Sequence, residues 1–84
     1  MTKKVAIYTT PTCTYCRMTK DFFQQNGVEY EEYNVAADAA RRQEMVSKTG
    51  QLGVPVITVT EEDGDEHVII GFDKGGLSAA LGIR

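Results

Sequence analysis

The stretch from Val5 to Cys16 does most to limit what this chain can become. Val5, Ala6, Ile7 and Tyr8 form a nearly continuous apolar run, the pattern of a central strand covered on both faces, and the run breaks at Thr10-Pro11-Thr12. Directly after the break stand Cys13 and Cys16, the only two cysteines in 84 residues. Such a pair, at the point where a strand gives way to a helical pattern, is a redox couple, half of a metal site, or a local staple.

Taken in order, Lys3 to Thr9 reads as the first strand, and Thr12 offers a hydroxyl to cap the helix that follows. From Cys13 to Asn26 the spacing is helical. Cys16, Thr19, Phe22 and Phe23 share one face at intervals of three and four, Arg17, Lys20, Asp21, Gln24 and Gln25 are polar, and Gly27 supplies the stop. Val28 to Val35 reads as a second strand whose mixed polarity suits a sheet edge. Ala36 to Thr49 reads as a second helix with a thin apolar stripe of Ala39, Met45 and Val46, closed by Gly50. Gln51-Leu52-Gly53-Val54-Pro55 leads into a third strand, Val56 to Thr60. The acidic run 61 to 66, a solvated turn with an Asp-Gly hairpin signal, returns the chain along Glu66 to Ile70. Gly71 ends that strand, Asp73 caps a last helix weakened by Gly75 and Gly76, and Leu77, Ala80 and Leu81 dock it on the sheet. The order β-α-β-α-β-β-α calls for a parallel first pair of strands joined by a right-handed crossover and an antiparallel last pair.

Length and composition narrow the uses of the cysteines. The chain is long enough for one domain, residues 1–84, with a modest core. A net charge of −3 provides no basic field for nucleic acid. The apolar segment after Met1-Thr2-Lys3-Lys4 is too short for a signal peptide or a membrane span, so a cytoplasmic location is expected. Disulfide-held secreted domains carry more cysteines, spread along the sequence.

Two cysteines in one helical turn face the same side about 5–6 Å apart, a spacing a disulfide accepts. Cys13 lies nearer the helix start, where unpaired N–H groups and the positive end of the helix dipole favour the thiolate. Cys16 lies deeper and less exposed. The asymmetry makes Cys13 the attacking thiol and Cys16 the resolving one. A structural disulfide would close too short a loop to restrict the unfolded chain much. Zinc or an iron–sulfur cluster takes four ligands, so a metal- or cluster-binding module would need a second chain or an outside thiol. His67, on the predicted hairpin, reads as a strand surface residue.

Thr9-Thr10-Pro11-Thr12-Cys13-Thr14-Tyr15-Cys16 after a first strand, Gly53-Val54-Pro55-Val56 before a third, and Gly71-Phe72-Asp73 before a last helix together resemble the glutaredoxin family, over essentially the whole chain. The resemblance implies a thioredoxin-like α/β fold, a four-stranded mixed sheet in the order 2-1-3-4 with flanking helices. It implies a dithiol–disulfide oxidoreductase with Cys13 and Cys16 catalytic, and with Tyr15, Val54, Pro55, Phe72 and Asp73 lining the substrate groove. It also implies a cis Val54-Pro55 bond facing the thiols, with the Val54 backbone left to pair with an extended substrate. No bound cofactor or metal is expected. Protein disulfides and glutathione mixed disulfides are the expected substrates, glutathione or thioredoxin reductase the electron donor, and a monomer the working form.

The departures from glutathione-using members bear on that donor. Where such members carry basic residues this chain has Thr10 and Leu52, and where they carry a Gly-Gly pair it has Gly71-Phe72, so that Phe72 is expected to fill space a glycine would leave open. The Gly-Phe pair is similar to redoxins that serve ribonucleotide reductase and are recycled by thioredoxin reductase, although Lys74-Gly75-Gly76 does not continue their signature. Thr14 replaces the proline common between such cysteines. Lys20 and Arg17 read equally as electrostatic support for a thiolate and as solvated helix charges.

Overall fold

The computed structural model describes residues 3–50 and 53–82. The elements are β1 (Lys4–Thr9), α1 (Thr14–Gln25), β2 (Glu31–Asn34), α2 (Ala39–Thr49), β3 (Val56–Thr60), β4 (Glu66–Ile70) and α3 (Lys74–Leu81). They follow the expected order, and the four strands form one mixed sheet in the order β2-β1-β3-β4. The apolar run of β1 earns its central place: it pairs in parallel with β2, Tyr8 beside Tyr33, and antiparallel with β3, Tyr8 opposite Val56. β3 and β4 are antiparallel, with Val56 opposite Ile70.

Alternation along the strands splits the core into two layers. On one face Val5, Ile7, Ile57, Val59 and Ile69 meet Phe22 and Phe23 of α1 and Leu77 of α3, with Ala80 and Leu81 packed alongside. On the other face Tyr8 and Val56 meet Val35 and Met45, the latter from α2. The buried residues of α1 are Cys16, Thr19, Phe22 and Phe23, the face the spacing called for. In α2 only Met45 is buried; Ala39 is exposed and Val46 half-buried. Polar contacts add to Met45 in holding that helix. The Tyr8 hydroxyl donates to the Glu44 carboxylate, and Arg41 donates to both Glu44 oxygens at 3.2 Å. The Arg41 guanidinium also lies 3.9 Å from the centre of the Tyr33 ring.

β1 starts at Lys4, one residue later than expected, and three further element starts differ from expectation, each because a local hydrogen bond takes the backbone first. The cap of α1 is Cys13, not Thr12, and the helix begins at Thr14. β2 starts at Glu31, three residues later than Val28, because the Val28 N–H closes the end of α1 on the Phe23 carbonyl at 2.8 Å while Val28 and Tyr30 tuck against the core. α2 starts at Ala39 instead of Ala36, because the Asn34 side chain accepts from the Ala36 N–H at 3.0 Å and commits the segment to a turn. Asp38 then caps the helix, accepting from the Arg41 N–H at 3.1 Å.

Candidate active site

One end of the sheet gathers the three segments singled out in the sequence. β1 runs toward this end and delivers Thr10 to Cys13. β3 starts from it, so Val54 and Pro55 sit beside the last residues of β1. β4 finishes at it, with Ile70 opposite Val56, and the Gly71 N–H donates to the Pro55 carbonyl at 2.8 Å. Gly71 adopts φ 78°, a left-handed turn suited to glycine. The Asp73 N–H then donates to the Gly71 carbonyl at 3.1 Å.

Within this frame the sulfurs of Cys13 and Cys16 are in disulfide contact, with Cα atoms 5.2 Å apart. The Cys13 N–H donates to the Thr10 carbonyl at 3.3 Å, which closes the turn out of β1. The Cys13 sulfur occupies the capping position of α1 and accepts from the Cys16 N–H at 3.0 Å. A sulfur that receives a helix N–H gains most from being a thiolate. Cys13 is partly open to solvent, whereas Cys16 is 1% exposed. The two thiols are thus sorted into an accessible, donor-stabilised one and a buried one.

Val54-Pro55 is cis, as the resemblance implied. Pro55 is fully buried and Val54 packs against the layer of Tyr8, Val35, Met45 and Val56. Leu52 lies outside the described residues. Phe72 departs from expectation. Its ring turns into the molecule and meets Phe22 edge-on, centroids 6.2 Å apart at 71°, because an apolar ring gains more against the core than spread over an uncharged rim. Asp73 caps α3, its carboxylate accepting from the Gly76 N–H at 3.0 Å. Tyr15 stands 61% exposed.

Lys20 is not a free charge beside the thiols. Its ammonium is 3.0 Å from Glu32, which also accepts from the buried Thr9 hydroxyl at 2.8 Å. Burial opposes the Glu32 charge, but the hydrogen bonds from Lys20 and Thr9 outweigh it and hold the carboxyl below its ordinary range. His67 lies on exposed β4 toward the hairpin, paired with Glu61 at 3.0 Å. Among the described residues no three or more His, Cys, Asp and Glu side chains gather as a metal site, and no helix is long and apolar enough to cross a membrane. A 440 Å³ cleft lined by Lys3, Lys4, Val5 and residues 29–31 opens at the start of β1, the opposite end from the cysteines.

Sequence reasoning overlooked two features here. One is the sulfur cap, hidden because capping is expected of oxygen-bearing side chains. The other is Met18, 41% exposed one turn beyond Tyr15; the spacing Tyr15, Met18, Phe22 was its signal.

The chain is similar to known proteins over most of its length. Residues 5–63 match the family model described as glutaredoxin. Glutaredoxin 3 of Escherichia coli is 38% identical over 79 residues, covering 92% of this chain and 95% of that protein. A glutaredoxin-like 8.6 kDa protein in the rubredoxin operon of Clostridium pasteurianum is 40% identical over 77 residues, covering 92% of this chain and 96% of its own. The crystal structure of the thioredoxin-like protein BC3987 superposes with a TM-score of 0.76 at 36% identity, covering 93% of this chain and 100% of that one.

Proposed function

The chain belongs to the glutaredoxin family, and from that premise we propose that it is a dithiol–disulfide oxidoreductase working through Cys13 and Cys16. The observation that carries this reading is the sorting of the two thiols: Cys13 partly open and accepting from the Cys16 N–H as the cap of α1, Cys16 buried a turn away. The Cys13 thiolate attacks one sulfur of a substrate disulfide, forms a mixed disulfide and releases the first substrate thiolate. Cys16 then gives up its proton and attacks the Cys13 sulfur. The second substrate thiol leaves, and the Cys13–Cys16 disulfide holds the two electrons' worth of oxidation until an external reductant restores the dithiol. Tyr15, Val54 and Asp73 form the rim against which the substrate lies, backed by the buried Pro55 and the inward-turned Phe72. Protein disulfides and glutathione mixed disulfides are the substrate classes. A dithiol kept for turnover belongs in a reducing compartment, so we assign the reaction to the cytoplasm.

The reductant is glutathione on the first reading and thioredoxin reductase on the second. The second has one observation in its favour: the segment from Thr9 to Cys16 carries no charge to hold a carboxylate. Incubating the oxidised protein with glutathione alone, and separately with NADPH and thioredoxin reductase, decides between them. Failure of glutathione to regenerate the dithiol removes the first reading. The oxidoreductase reading itself is tested with Cys16→Ser, which should accumulate a mixed disulfide on Cys13, and with Cys13→Ser, which should be inert. A Cys13→Ser variant with full activity overturns it.

A further inference from the structure

Resting on the oxidoreductase reading, we propose that Glu32 is a positioning residue for that reaction and acts through Lys20. It holds the Lys20 ammonium beside the thiols and cancels its charge. The Cys13 thiol is thereby less acidic, and the dithiol more reducing, than Lys20 alone would make them.

Lys20 belongs to the cysteine end of α1. It stands four residues from Cys16 and seven from Cys13, about one turn and two turns, so all three share one side of the helix. Seven residues span about 10 Å along the axis, and a helical side chain leans back toward the N-terminus, which for Lys20 is toward the sulfurs. β2 fixes where the ammonium stops. It lies 3.0 Å from a Glu32 carboxylate oxygen that also accepts from the Thr9 hydroxyl at 2.8 Å. Glu32 is level with Ile7 in the ladder, so its side chain reaches forward, toward the cysteine end, to meet Thr9. Thr9 is buried and directly precedes Thr10, whose carbonyl closes the turn on the Cys13 N–H at 3.3 Å. The charge pair therefore sits beside the base of the turn that carries Cys13.

What the pair does follows from its two signs. A cation near a thiolate stabilises it, and an anion does the opposite. Lys20 and Glu32 touch one another and act on Cys13 from similar distances, so their effects on it nearly cancel. The other ionisable groups near this end do not replace them. Arg17 and Asp21 are exposed on α1 and opposite in sign, and Tyr15 is exposed as well. Asp73 is engaged with the Gly76 N–H, residues 53–56 are uncharged, and Tyr8 with Glu44 lies on the other face of the sheet. One unbalanced charge at about 10 Å, in an effective dielectric of about 40–80, would change the acid dissociation constant of the thiol about two- to fourfold. Stabilising the thiolate stabilises only the reduced state, and so makes the protein more oxidising.

The test has two readouts on the purified protein, neither of which needs a substrate. One is the titration of the first thiolate, that of Cys13, by its ultraviolet absorbance. The other is the dithiol–disulfide equilibrium against dithiothreitol at a pH above the midpoint of that titration. Glu32→Gln keeps the shape and an acceptor oxygen and removes only the charge. It should raise the dissociation constant about two- to fourfold and shift the equilibrium toward the dithiol by the same factor. Lys20→Met should move both quantities the other way, and the double variant Glu32→Gln/Lys20→Met should return them to the unmodified values. In about 1 M salt, where charges are screened beyond about 3 Å, the shifts should shrink. A merely structural clamp predicts shifts of one sign that salt does not remove. Single variants that move the thiol in the same direction or not at all, or shifts that persist in salt, overturn the charge pair. The oxidoreductase reading fails on a separate result, an unmodified protein that leaves bis(hydroxyethyl) disulfide unreduced.

Discussion

Replacing Phe72 by alanine separates a ring that lines the substrate groove from one that belongs to the core. The ring meets Phe22 edge-on, centroids 6.2 Å apart, and packs against the layer containing Ile69 and Leu77. Truncating a fully buried Phe to Ala costs about 3–5 kcal/mol. Phe72 is half-buried, so roughly half of that is at stake, and an aromatic pair adds about 0.5–1.5 kcal/mol. Phe72→Ala should therefore lower the stability of the oxidised protein by about 2–4 kcal/mol, a large share of what a domain this size possesses. At about 4–8 °C per kcal/mol this is a fall of roughly 8–32 °C in Tm. Urea unfolding followed by circular dichroism measures the loss. A double-mutant cycle with Phe22→Leu isolates the pair and should return a coupling of about 0.5–1.5 kcal/mol. A loss below about 0.5 kcal/mol, the range of ordinary surface substitutions, together with zero coupling, refutes the assignment of the ring to the core.

The two glycines of α3 should respond differently to alanine. A Cβ at Gly75 meets nothing closer than 3.7 Å, so Gly75→Ala should stabilise by about the 1 kcal/mol of helix propensity. A Cβ at Gly76 would stand 2.7 Å from the Asp73 carboxylate and displace the cap, so Gly76→Ala should show no net gain; thermal unfolding of both variants checks this. Met45→Ala, which removes the one buried side chain of α2, should cost about 2–5 kcal/mol in the same measurement. Glu44 is held below its ordinary 4.5 first by the Tyr8 hydroxyl, against burial, and then by Arg41. The folded state thus binds that proton more weakly than the unfolded chain does. The stability involved is complete above about pH 4.5 and is lost as the pH falls below it, and Tyr8→Phe should flatten this acid slope in pH-dependent urea unfolding. Burial first, and then Glu44, raises the Tyr8 hydroxyl above its ordinary 10.0. That contribution is present below pH 10 and is lost as the pH rises beyond it, so Tyr8→Phe should also flatten the alkaline slope.

Much of this protein was legible in its sequence, and the reason is that the legible parts depend on near neighbours. Val56–Thr60 and Glu66–Ile70 fall where alternation and the Asp-Gly turn put them, because a hairpin is decided by its own residues. The buried face of α1 follows from spacing alone, and so does the sorting of Cys13 from Cys16. Asp73 caps α3 as its position required. The strand order and the cis bond at Pro55 came with the family resemblance, since neither periodicity nor composition encodes them.

Tertiary structure decided whatever has two local solutions of similar energy. Phe72 had the groove or the core to cover, and Phe22, fifty residues away, drew it inward. Lys20 read as support for a thiolate or as a solvated charge, and the parallel pairing of β1 with β2 instead brought Glu32 within its reach. For Phe72 and Lys20 the deciding partner is distant in sequence and adjacent only once the sheet has formed. The chain's local pattern therefore specified its chemistry, while the sheet determined which surface around Cys13 is left for a partner.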